Sequence, residues 1–455
     1  MTQAPLDALI DALPAGSVLT DPDTVAGYRH DWARQPDAGT PLAVVRAGSS
    51  DDVQAVMRWA DAHHVPVVPR GAGTGLSGGA SAVDGALVLS LEKMREITVD
   101  PTTRTAVVQP GLLNAEVKAA AAEHGLWYPP DPSSYEICSI GGNIATNAGG
   151  LCCVKYGVTT DYVLGLDVVL ADGTLVRLGG PRLKDVAGLS LTKLFVGSEG
   201  TLGIVTGITV RLLPAQPPRT TMVATFADLG AAADAVVAIT RQIQPAMLEF
   251  MDKVSIAAVD DYTRMGLDRE AEAMLIAQSD APGAHCAAEL ALMVAACEEN
   301  GATEVFATDD AEEGEAFTVA RRIAFQAVGE LGELLFEDVG VPMTRLPDLV
   351  TGIAEISAAR GVTIAVVAHA GDGNTHPLIV TDPHDPEIDR NAQLAFGEVM
   401  ELAIALGGTI TGEHGVGRMK KDWLPDYLGP EVLELNRKIK RALDPKDLLN
   451  PGAMF

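Results

Sequence analysis

The sequence is poor in cysteine, in positive charge and in long apolar runs. Its five cysteines form no C-x-x-C pair, which argues against an iron–sulfur cluster or a structural zinc site. The formal net charge of −28 argues against binding to nucleic acid or to anionic membranes, because both need a basic surface. No apolar run approaches the ~18 residues that would cross a bilayer, and the N-terminus has no signal-peptide pattern. A reduced, cytoplasmic globular protein is expected.

The chain is too long for one ordinary hydrophobic core, so its 455 residues predict at least two domains. The first half contains short apolar strands separated by glycine turns, whereas helices and strands alternate in the middle. One of the helices expected there covers "EAFTVARRIAFQAVGELGE". A proline-rich stretch, "RLLPAQPPRT" at 211–220, predicts the boundary between them. The first domain is therefore expected to end near residue 215.

A glycine-rich loop, "PRGAGTGLSGGA", occupies residues 69–80 and satisfies the pattern G-x-G-x-x-G. In a Rossmann fold this pattern opens a helix, but here the loop runs into the strand-like "ALVLSL". We therefore reject the Rossmann interpretation. Successive backbone N–H groups in such a loop, assisted by Arg70, would suit a pyrophosphate. A flexible surface turn is the alternative.

Two further glycine-rich segments, which we also expect to be loops, make the ligand interpretation stronger. They are "PPDPSSYEICSIGGNIATNAGG" at 129–150 and "FVGSEGTLGIVT" at 195–206. Ordering three such segments costs conformational entropy, which a bound ligand or tight packing must offset.

Four ordered segments, "PRGAGTGLSGG", "CSIGGNIATNAGG", "GSEGTLGIVT" and "LDPKDLLNPG", resemble the FAD-linked oxidoreductases of the vanillyl-alcohol oxidase type. The likeness is strongest to the branch of D-lactate dehydrogenase and the glycolate oxidase FAD subunit. It implies an α+β fold with a two-part FAD-binding domain at 1–215, an α+β substrate cap domain at 216–410, and a helical return at 411–455 that packs on the FAD domain. A covalent bond between FAD and a histidine of the first loop is not expected, because that loop contains no histidine. The FAD is therefore expected to be bound non-covalently.

The resemblance also implies which residues contact the cofactor. The expected FAD contacts are Arg70, Gly71, Ala72, Gly73, Thr74, Gly75, Leu76, Pro132, Ser139, Gly142, Asn143, Thr146, Asn147, Gly149, Gly150, Glu199, Gly203, Ile204 and Asn450.

Two of only nine histidines bracket one turn in "VVAHAGDGNTHPLIV", residues 366–380. Apolar strand-like runs flank the turn signal "GDGN", so a hairpin is expected. Its two sides would bring His369 and His376 together, as in a divalent metal site. The alternative is that both histidines only form hydrogen bonds within a loop.

A third metal ligand is available in "GGTITGEHGVGRMK", which contains Glu413 and His414. The resemblance implies that His369, His376 and Glu413 bind a divalent metal, with zinc and manganese as candidates, and that His414 is the general base. It also implies a substrate arginine in "FTVARRIAF", where the alignment favours Arg321 over Arg322. A guanidinium can hold a carboxylate by two hydrogen bonds; surface ion pairs are the alternative for both arginines.

The family's D-2-hydroxyglutarate dehydrogenases have a lysine and an asparagine where this chain has Phe336 and Leu378. These differences favour a small or apolar D-2-hydroxy acid, of the D-lactate or glycolate type, over a dicarboxylic one. The expected reaction is oxidation to the 2-oxo acid, with proton abstraction by His414 and hydride transfer to flavin N5.

The one match to the NAD-binding pattern G-x-G-x-x-G has been rejected above, so NAD is not the expected electron acceptor. The electrons are expected to pass from the flavin to a quinone, a cytochrome, an electron-transfer protein or oxygen. Expected partners also include a second copy of the chain or further oxidase subunits. Three alternatives stay open: an FAD subunit of a multi-subunit glycolate oxidase with little activity alone, a D-2-hydroxyglutarate dehydrogenase-like enzyme, and a non-redox enzyme resembling alkylglycerone-phosphate synthase. The last should need a basic phosphate-binding cluster, which the sequence does not show.

Overall fold

The computed structural model describes residues 6–33 and 37–455, which divide into two compact units. The first unit contains the described residues up to Ala148, together with Val158–Ala215 and Glu413–Phe455. The second contains Gly149–Gly157 and Gln216–Gly412. The chain changes unit at Ala215, inside the proline-rich stretch. The short excursion at Gly149–Gly157 was not anticipated from the sequence.

The described residues form fifteen α-helices and three short 3₁₀ helices. The α-helices are α1 Leu6–Ala12, α2 Pro22–Ala26, α3 Ser50–His63, α4 Asn114–Ala122, α5 Ile140–Thr146, α6 Cys153–Tyr156, α7 Leu191–Phe195, α8 Leu229–Thr240, α9 Lys253–Thr263, α10 Ala284–Glu299, α11 Ala311–Arg322, α12 Ala324–Gly329, α13 Leu346–Arg360, α14 Pro386–Ala405 and α15 Leu424–Leu443. The 3₁₀ helices are Thr159–Asp161, Met343–Arg345 and Lys421–Trp423.

The same residues form nineteen β-strands. They are β1 Val18–Leu19, β2 Ala43–Arg46, β3 Val67–Arg70, β4 Leu87–Ser90, β5 Ile97–Asp100, β6 Thr105–Val108, β7 Leu126–Trp127, β8 Val163–Val169, β9 Leu175–Gly179, β10 Ile204–Arg211, β11 Leu213–Pro214, β12 Thr220–Phe226, β13 Met247–Asp252, β14 Ala273–Ser279, β15 Ala302–Thr308, β16 Glu333–Phe336, β17 Val339–Gly340, β18 Ile364–His369 and β19 Asn374–Thr381.

Two larger sheets form the first unit. One has the order β1-β2-β4-β3, and β2 and β3 both run parallel to β4. Helix α3 packs its apolar face on this sheet, with Val53, Val56 and Met57 fully buried. Ser49 caps this helix by accepting the N–H of Asp52, as the sequence predicts. The second sheet is antiparallel, in the order β5-β6-β10-β8-β9; β7 and β11 form a small separate pair.

An eight-stranded sheet forms the core of the second unit. Its order is β15-β12-β14-β13-β18-β19-β16, and β17 also pairs with β19. Strands β13, β14 and β18 are buried along their whole length. Apolar faces of the flanking helices complete this core, including Ala320 of α11 and Ala327 of α12. Polar side chains on the buried strands therefore need partners inside the protein.

Two helices differ from the sequence expectation. Helix α5 lies inside the second glycine-rich segment, which we expected to be a loop. Its ends carry ordinary caps: Ser139 accepts the N–H of Gly142, and Asn147 ends it in the left-handed conformation with a φ of 54°. The helix expected over "EAFTVARRIAFQAVGELGE" is divided at Ile323 into α11 and α12.

Between β3 and β4 no helix follows the first glycine loop, in agreement with our rejection of a Rossmann fold. Among the residues that the structure describes, no helix is both long and apolar enough to span a membrane.

Candidate functional site

The two histidines of the turn lie on a β-hairpin in the second unit. Strands β18 and β19 pair so that His369 is opposite Asn374 and Val367 is opposite His376. Both imidazoles are buried, and their ring centroids are 5.0 Å apart with the ring planes at 85°. The predicted hairpin is therefore present, and it brings the two histidines together.

Each imidazole has a carboxylate beside its Nδ1 atom. Nδ1 of His369 is 2.9 Å and 3.0 Å from the two carboxylate oxygens of Glu249, and Nδ1 of His376 is 3.5 Å from Oδ1 of Asp338. A carboxylate at Nδ1 favours the tautomer with its proton there, which leaves the lone pair of Nε2 for a metal. Because metal-binding histidines commonly have such carboxylate partners, the donor set fits a divalent ion.

Asp338 also fixes the end of the segment that leads to Glu413. Its Oδ2 accepts the hydroxyl of Thr411 at 2.6 Å and the N–H of Gly412 at 2.9 Å. A Cβ atom at Gly412 would lie 2.3 Å from Oδ1 of Asn374, so only glycine fits there without a shift. Glu413 is the next residue in the chain.

Arg321 lies at the end of α11 in the second unit and is completely buried. Its Nε is 2.8 Å from Oε2 of Glu249. One carboxylate therefore contacts both Arg321 and His369. The neighbouring Arg322 is half-buried, whereas Arg321 has no exposed surface. This rejects the surface ion pair as an explanation of Arg321.

An aromatic pair lies next to the hairpin. The ring centroids of Phe325 and Phe336 are 5.7 Å apart, and Phe325 is 6.0 Å from the ring of His376. Phe336 is opposite Leu378 in the pairing of β16 with β19. Both phenylalanines are half-buried, so the surface beside His376 is apolar.

In the first unit, the first two glycine-rich segments meet at Ser139. Its hydroxyl accepts the N–H groups of Ala72 and Gly142, each at 3.2 Å. A Cβ atom at Gly71 would lie 2.2 Å from that hydroxyl oxygen, and Gly73 has a φ of 77°, which favours glycine. Close packing on Ser139 and a left-handed backbone therefore require glycine at these two positions.

A buried cation lies beneath the loop. Arg70 donates to the carbonyl of Ala80 and lies over the ring of Tyr28. Burial lowers the pKa of the Arg70 guanidinium, and the nearby Asp31 opposes that shift. Burial also raises the pKa of Asp31. Positive charge at this place suits an anionic ligand in a chain of strongly negative net charge.

The third segment and the C-terminal tail meet the same loop. The side-chain amide of Asn450 donates to the carbonyls of Gly79 and Glu199, at 2.9 Å and 2.8 Å. Arg418 donates to Oδ1 of Asn450 at 2.7 Å and to the carbonyl of Gly78 at 2.8 Å. These contacts explain why the tail belongs to the first unit.

The remaining predicted FAD contacts are placed by local structure. Asn143 is buried beside Asn114 and Cys138, and the hydroxyl of Thr146 donates to the carbonyl of Gly142. Gly203 lies against Val168, so closely that a Cβ atom would be 2.5 Å away. Gly149 and Gly150 fall in the second unit, and the other predicted FAD contacts fall in the first.

Glu413 and His414 lie in the first unit. Nε2 of His414 is 4.0 Å from Oε1 of Glu413, and each side chain is 11% exposed. The hydroxyl of Ser77 donates to the carbonyl of His414 at 3.1 Å, which ties this turn to the first glycine loop. Two residues of the second unit, Glu249 and Asp338, were missed by the sequence analysis. Glu249 lies within the buried strand β13 and Asp338 lies between β16 and β17; neither place has a local pattern that indicates a partner for a histidine.

Two family models cover most of the chain. The FAD binding domain matches residues 41–179, and the C-terminal domain of FAD linked oxidases matches residues 215–454. This chain belongs to the FAD-linked oxidases. It is therefore an FAD-linked oxidoreductase, as the sequence motifs predicted.

Three similar proteins align with this chain over nearly the whole length of both sequences. The glycolate oxidase subunit GlcD of Bacillus subtilis is 43% identical, over 94% of this chain and 92% of its own. The subunit of the same name from Escherichia coli K12 is 38% identical, over 98% and 90%. The D-lactate dehydrogenase of Archaeoglobus fulgidus is 36% identical, over 92% of both chains.

Solved structures confirm the predicted fold class. p-Cresol methylhydroxylase matches with a TM-score of 0.82 at 18% identity, over 99% of this chain and 96% of that chain. The 4-ethylphenol oxidase of Gulosibacter chungangensis gives the same four values. At 18% identity, the likeness to these two vanillyl-alcohol-oxidase-type flavoenzymes establishes the α+β fold of this FAD-linked oxidase. It says nothing about the substrate of this chain.

Proposed function

We propose that this FAD-linked oxidase converts a small or apolar D-2-hydroxy acid into the corresponding 2-oxo acid. The observation that carries the proposal is the buried pair His369 and His376, each with a carboxylate at Nδ1. The names of the similar proteins support the substrate class, since they include glycolate oxidase subunits, a D-lactate dehydrogenase and a D-2-hydroxyglutarate dehydrogenase.

The first glycine loop and the residues that support it would hold FAD non-covalently. Backbone N–H groups of residues 71–76 and the guanidinium of Arg70 are suited to the pyrophosphate, and the other predicted contacts, except Glu199, would complete the site. A bound FAD supplies the acceptor for the hydride that leaves the substrate carbon.

His369, His376 and Glu413 would bind a divalent cation, zinc or manganese. A bound cation supplies Lewis acidity, which lowers the pKa of a coordinated hydroxyl. Glu249 and Asp338 hold the two imidazoles in the required tautomer. His414 accepts the hydroxyl proton at Nε2, the nitrogen that faces Glu413 at 4.0 Å.

Arg321 would hold the substrate carboxylate through its guanidinium. Its Nε contact with Glu249 fixes the orientation of the planar group. The same carboxylate orients His369, so the anion-binding residue and a metal ligand share one support.

The half-buried apolar side chains of Phe325 and Phe336 support a monocarboxylic substrate, and Leu378 lies fully buried in the core against which they pack. A second carboxylate placed there would lose its water without gaining a cation. D-lactate, glycolate or a longer aliphatic 2-hydroxy acid fits better than D-2-hydroxyglutarate.

A second candidate function is that of an FAD subunit within a larger oxidase. Two similar proteins are named as glycolate oxidase subunits, and this observation supports partner subunits here. In that case the isolated chain would bind FAD but turn over slowly. The electron acceptor would then be a partner; otherwise it would be a quinone, a cytochrome, a soluble electron-transfer protein or oxygen.

A dye-linked assay of the purified single chain separates these candidates. Glycolate, both enantiomers of lactate, longer 2-hydroxy acids and D-2-hydroxyglutarate would be compared with the same artificial electron acceptor. Turnover of a small D-acid without partners supports the proposal. Turnover that needs added subunits supports the second candidate, and preference for D-2-hydroxyglutarate contradicts the substrate assignment.

A further inference from the structure

Glu199 is a buried carboxylate with an unusual backbone conformation. Its φ is 51°, which lies in the left-handed region. Residues other than glycine, asparagine and aspartate seldom adopt this backbone conformation. The residue is 6% exposed. Its N–H donates to the carbonyl of Ala145 at the end of α5, and its own carbonyl accepts the amide of Asn450. The surrounding contacts therefore impose a conformation that is unfavourable in isolation.

The side chain of Glu199 points at the turn that follows His414. Oε1 accepts the N–H of Val416 and Oε2 accepts the N–H of Gly417, both at 2.7 Å. Two consecutive backbone donors around one carboxylate form a small anion-binding concavity. Charge-assisted bonds of this kind are stronger than neutral ones.

The turn is shaped to admit this carboxylate. Gly415 has a φ of 87°, and a Cβ atom there would lie 2.9 Å from Oε1 of Glu199. Gly417 has a φ of 53°, and its Cβ atom would lie 2.0 Å from the carbonyl oxygen of Ser77. Larger residues at either place would push the turn away from its supports.

The chain that leaves His414 is thus held at two points. Ser77 fixes its carbonyl group, and Glu199 fixes the two N–H groups that begin two residues later. We propose that Glu199 is a positioning residue, which fixes the turn 413–417 so that Glu413 and His414 keep a constant orientation. This inference rests on the proposed role of His414 as the base, and it gives Glu199 a role other than the FAD contact that the family resemblance implied.

The test is Glu199→Gln in the full-length, FAD-loaded protein. Glutamine keeps the shape but replaces one acceptor oxygen with a donor, so only one of the two N–H groups can be satisfied. We expect anaerobic flavin reduction by D-lactate to slow by about 10- to 100-fold. FAD content and the dissociation constant of oxalate, an unreactive anion probe, should stay at wild-type values.

Two further variants make the result specific. Ser77→Ala removes a second side-chain support of the same turn, the hydrogen bond to the carbonyl of His414, and should slow reduction in the same way, by a smaller factor. Asp444→Asn is the matched control, because Asp444 is also a buried carboxylate that accepts two consecutive N–H groups, those of Leu448 and Leu449. It should lower thermal stability without slowing reduction per bound flavin.

The outcomes separate this inference from the proposed function. If the wild-type protein is reduced by D-lactate and Glu199→Gln is reduced equally fast, the positioning role is wrong while the proposed function stands. Loss of FAD from Glu199→Gln would overturn the positioning role and make Glu199 a cofactor ligand. If no 2-hydroxy acid reduces the wild-type flavin, the proposed function itself fails. Should Glu199→Gln not fold, Ser77→Ala decides: a wild-type rate of reduction overturns the inference.

Discussion

Nδ1 of His369 lies 2.9 Å from Oε1 of Glu249, inside the buried sheet of the second unit. The two residues are 120 positions apart in the sequence, on neighbouring strands β18 and β13. The other oxygen of Glu249 contacts Nε of Arg321 at 2.8 Å. A single carboxylate thus orients a predicted metal ligand and the predicted substrate-binding arginine.

Glu249→Gln should weaken metal binding by about 10- to 100-fold, because the amide is a poorer acceptor for the Nδ1 proton of His369. Metal affinity can be measured by competition with a chelator. The variant should also be less stable, since it removes the charge of a buried carboxylate that contacts Nε of the buried Arg321.

The matched control for that experiment is Glu398→Gln. Glu398 pairs with Arg360 in the same unit, but both side chains are about one-third exposed, so the change should have little effect on stability. Equal loss of metal affinity in both variants would contradict the role of Glu249.

His414→Ala should keep FAD bound and slow its reduction by substrate about 10²- to 10⁴-fold, because the hydroxyl proton then has no acceptor. Rapid anaerobic mixing with D-lactate measures this rate directly. His124→Ala, at an exposed position of the same unit, should behave as wild type. Normal bleaching of the flavin in His414→Ala would remove this histidine from the mechanism.

Phe336→Ala should lower kcat/KM for longer aliphatic 2-hydroxy acids by about 3- to 15-fold and leave that for glycolate almost unchanged. The reason is lost contact with one or two methylene groups of the substrate. Phe306→Ala is a suitable control, since Phe306 lies on β15, at the opposite end of the sheet order from β16. An equal decrease for glycolate would show that Phe336 does not contact the substrate side chain.

Asp252→Asn should change how stability depends on pH. Asp252 caps α9 by accepting the N–H of Ser255, and burial raises its pKa from 3.8 to about 6. The folded protein therefore binds the proton more tightly than the unfolded chain. The stabilisation that this bound proton provides is complete below the pKa of Asp252 in the unfolded chain, and it is lost as the pH rises through about 6.

Asparagine has no such proton. The free energy of unfolding of Asp252→Asn should therefore rise relative to that of the wild type, by up to about 3 kcal/mol, as the pH increases from about 4 to 7. Urea unfolding at several pH values measures this difference. Asp228→Asn, which changes an exposed cap of α8, should show no comparable trend. A constant difference between Asp252→Asn and wild type would contradict the raised pKa.

The elements that the sequence predicted are those with local signals. The hairpin that contains His369 and His376 follows from two apolar runs around a Gly-Asp-Gly-Asn turn. Helix α3 follows from the Ser49 cap and the spacing of its apolar residues. In both cases neighbouring residues in the chain determine the structure.

The features that were missed depend on contacts between distant segments. Helix α5 was expected to be a loop because its paired glycines and asparagines are poor helix formers, yet its Ser139 cap and the packing of buried Ile140 and Ile144 stabilise it. Glu249 and Asp338 became visible only when strand pairing placed them beside the histidines. No local pattern indicates such a partner.

In the proposed function, His369, His376 and Glu413 would hold a divalent metal, whose Lewis acidity would assist the oxidation of a D-2-hydroxy acid. The most direct measurement is the rate of anaerobic flavin bleaching by D-lactate, before and after the metal is removed by a chelator, with metal content and FAD content measured in each sample. We predict that the metal-depleted protein stays yellow with D-lactate, and that added zinc or manganese restores bleaching, whereas L-lactate has no effect in any sample. Unchanged bleaching after complete metal removal would contradict the claim.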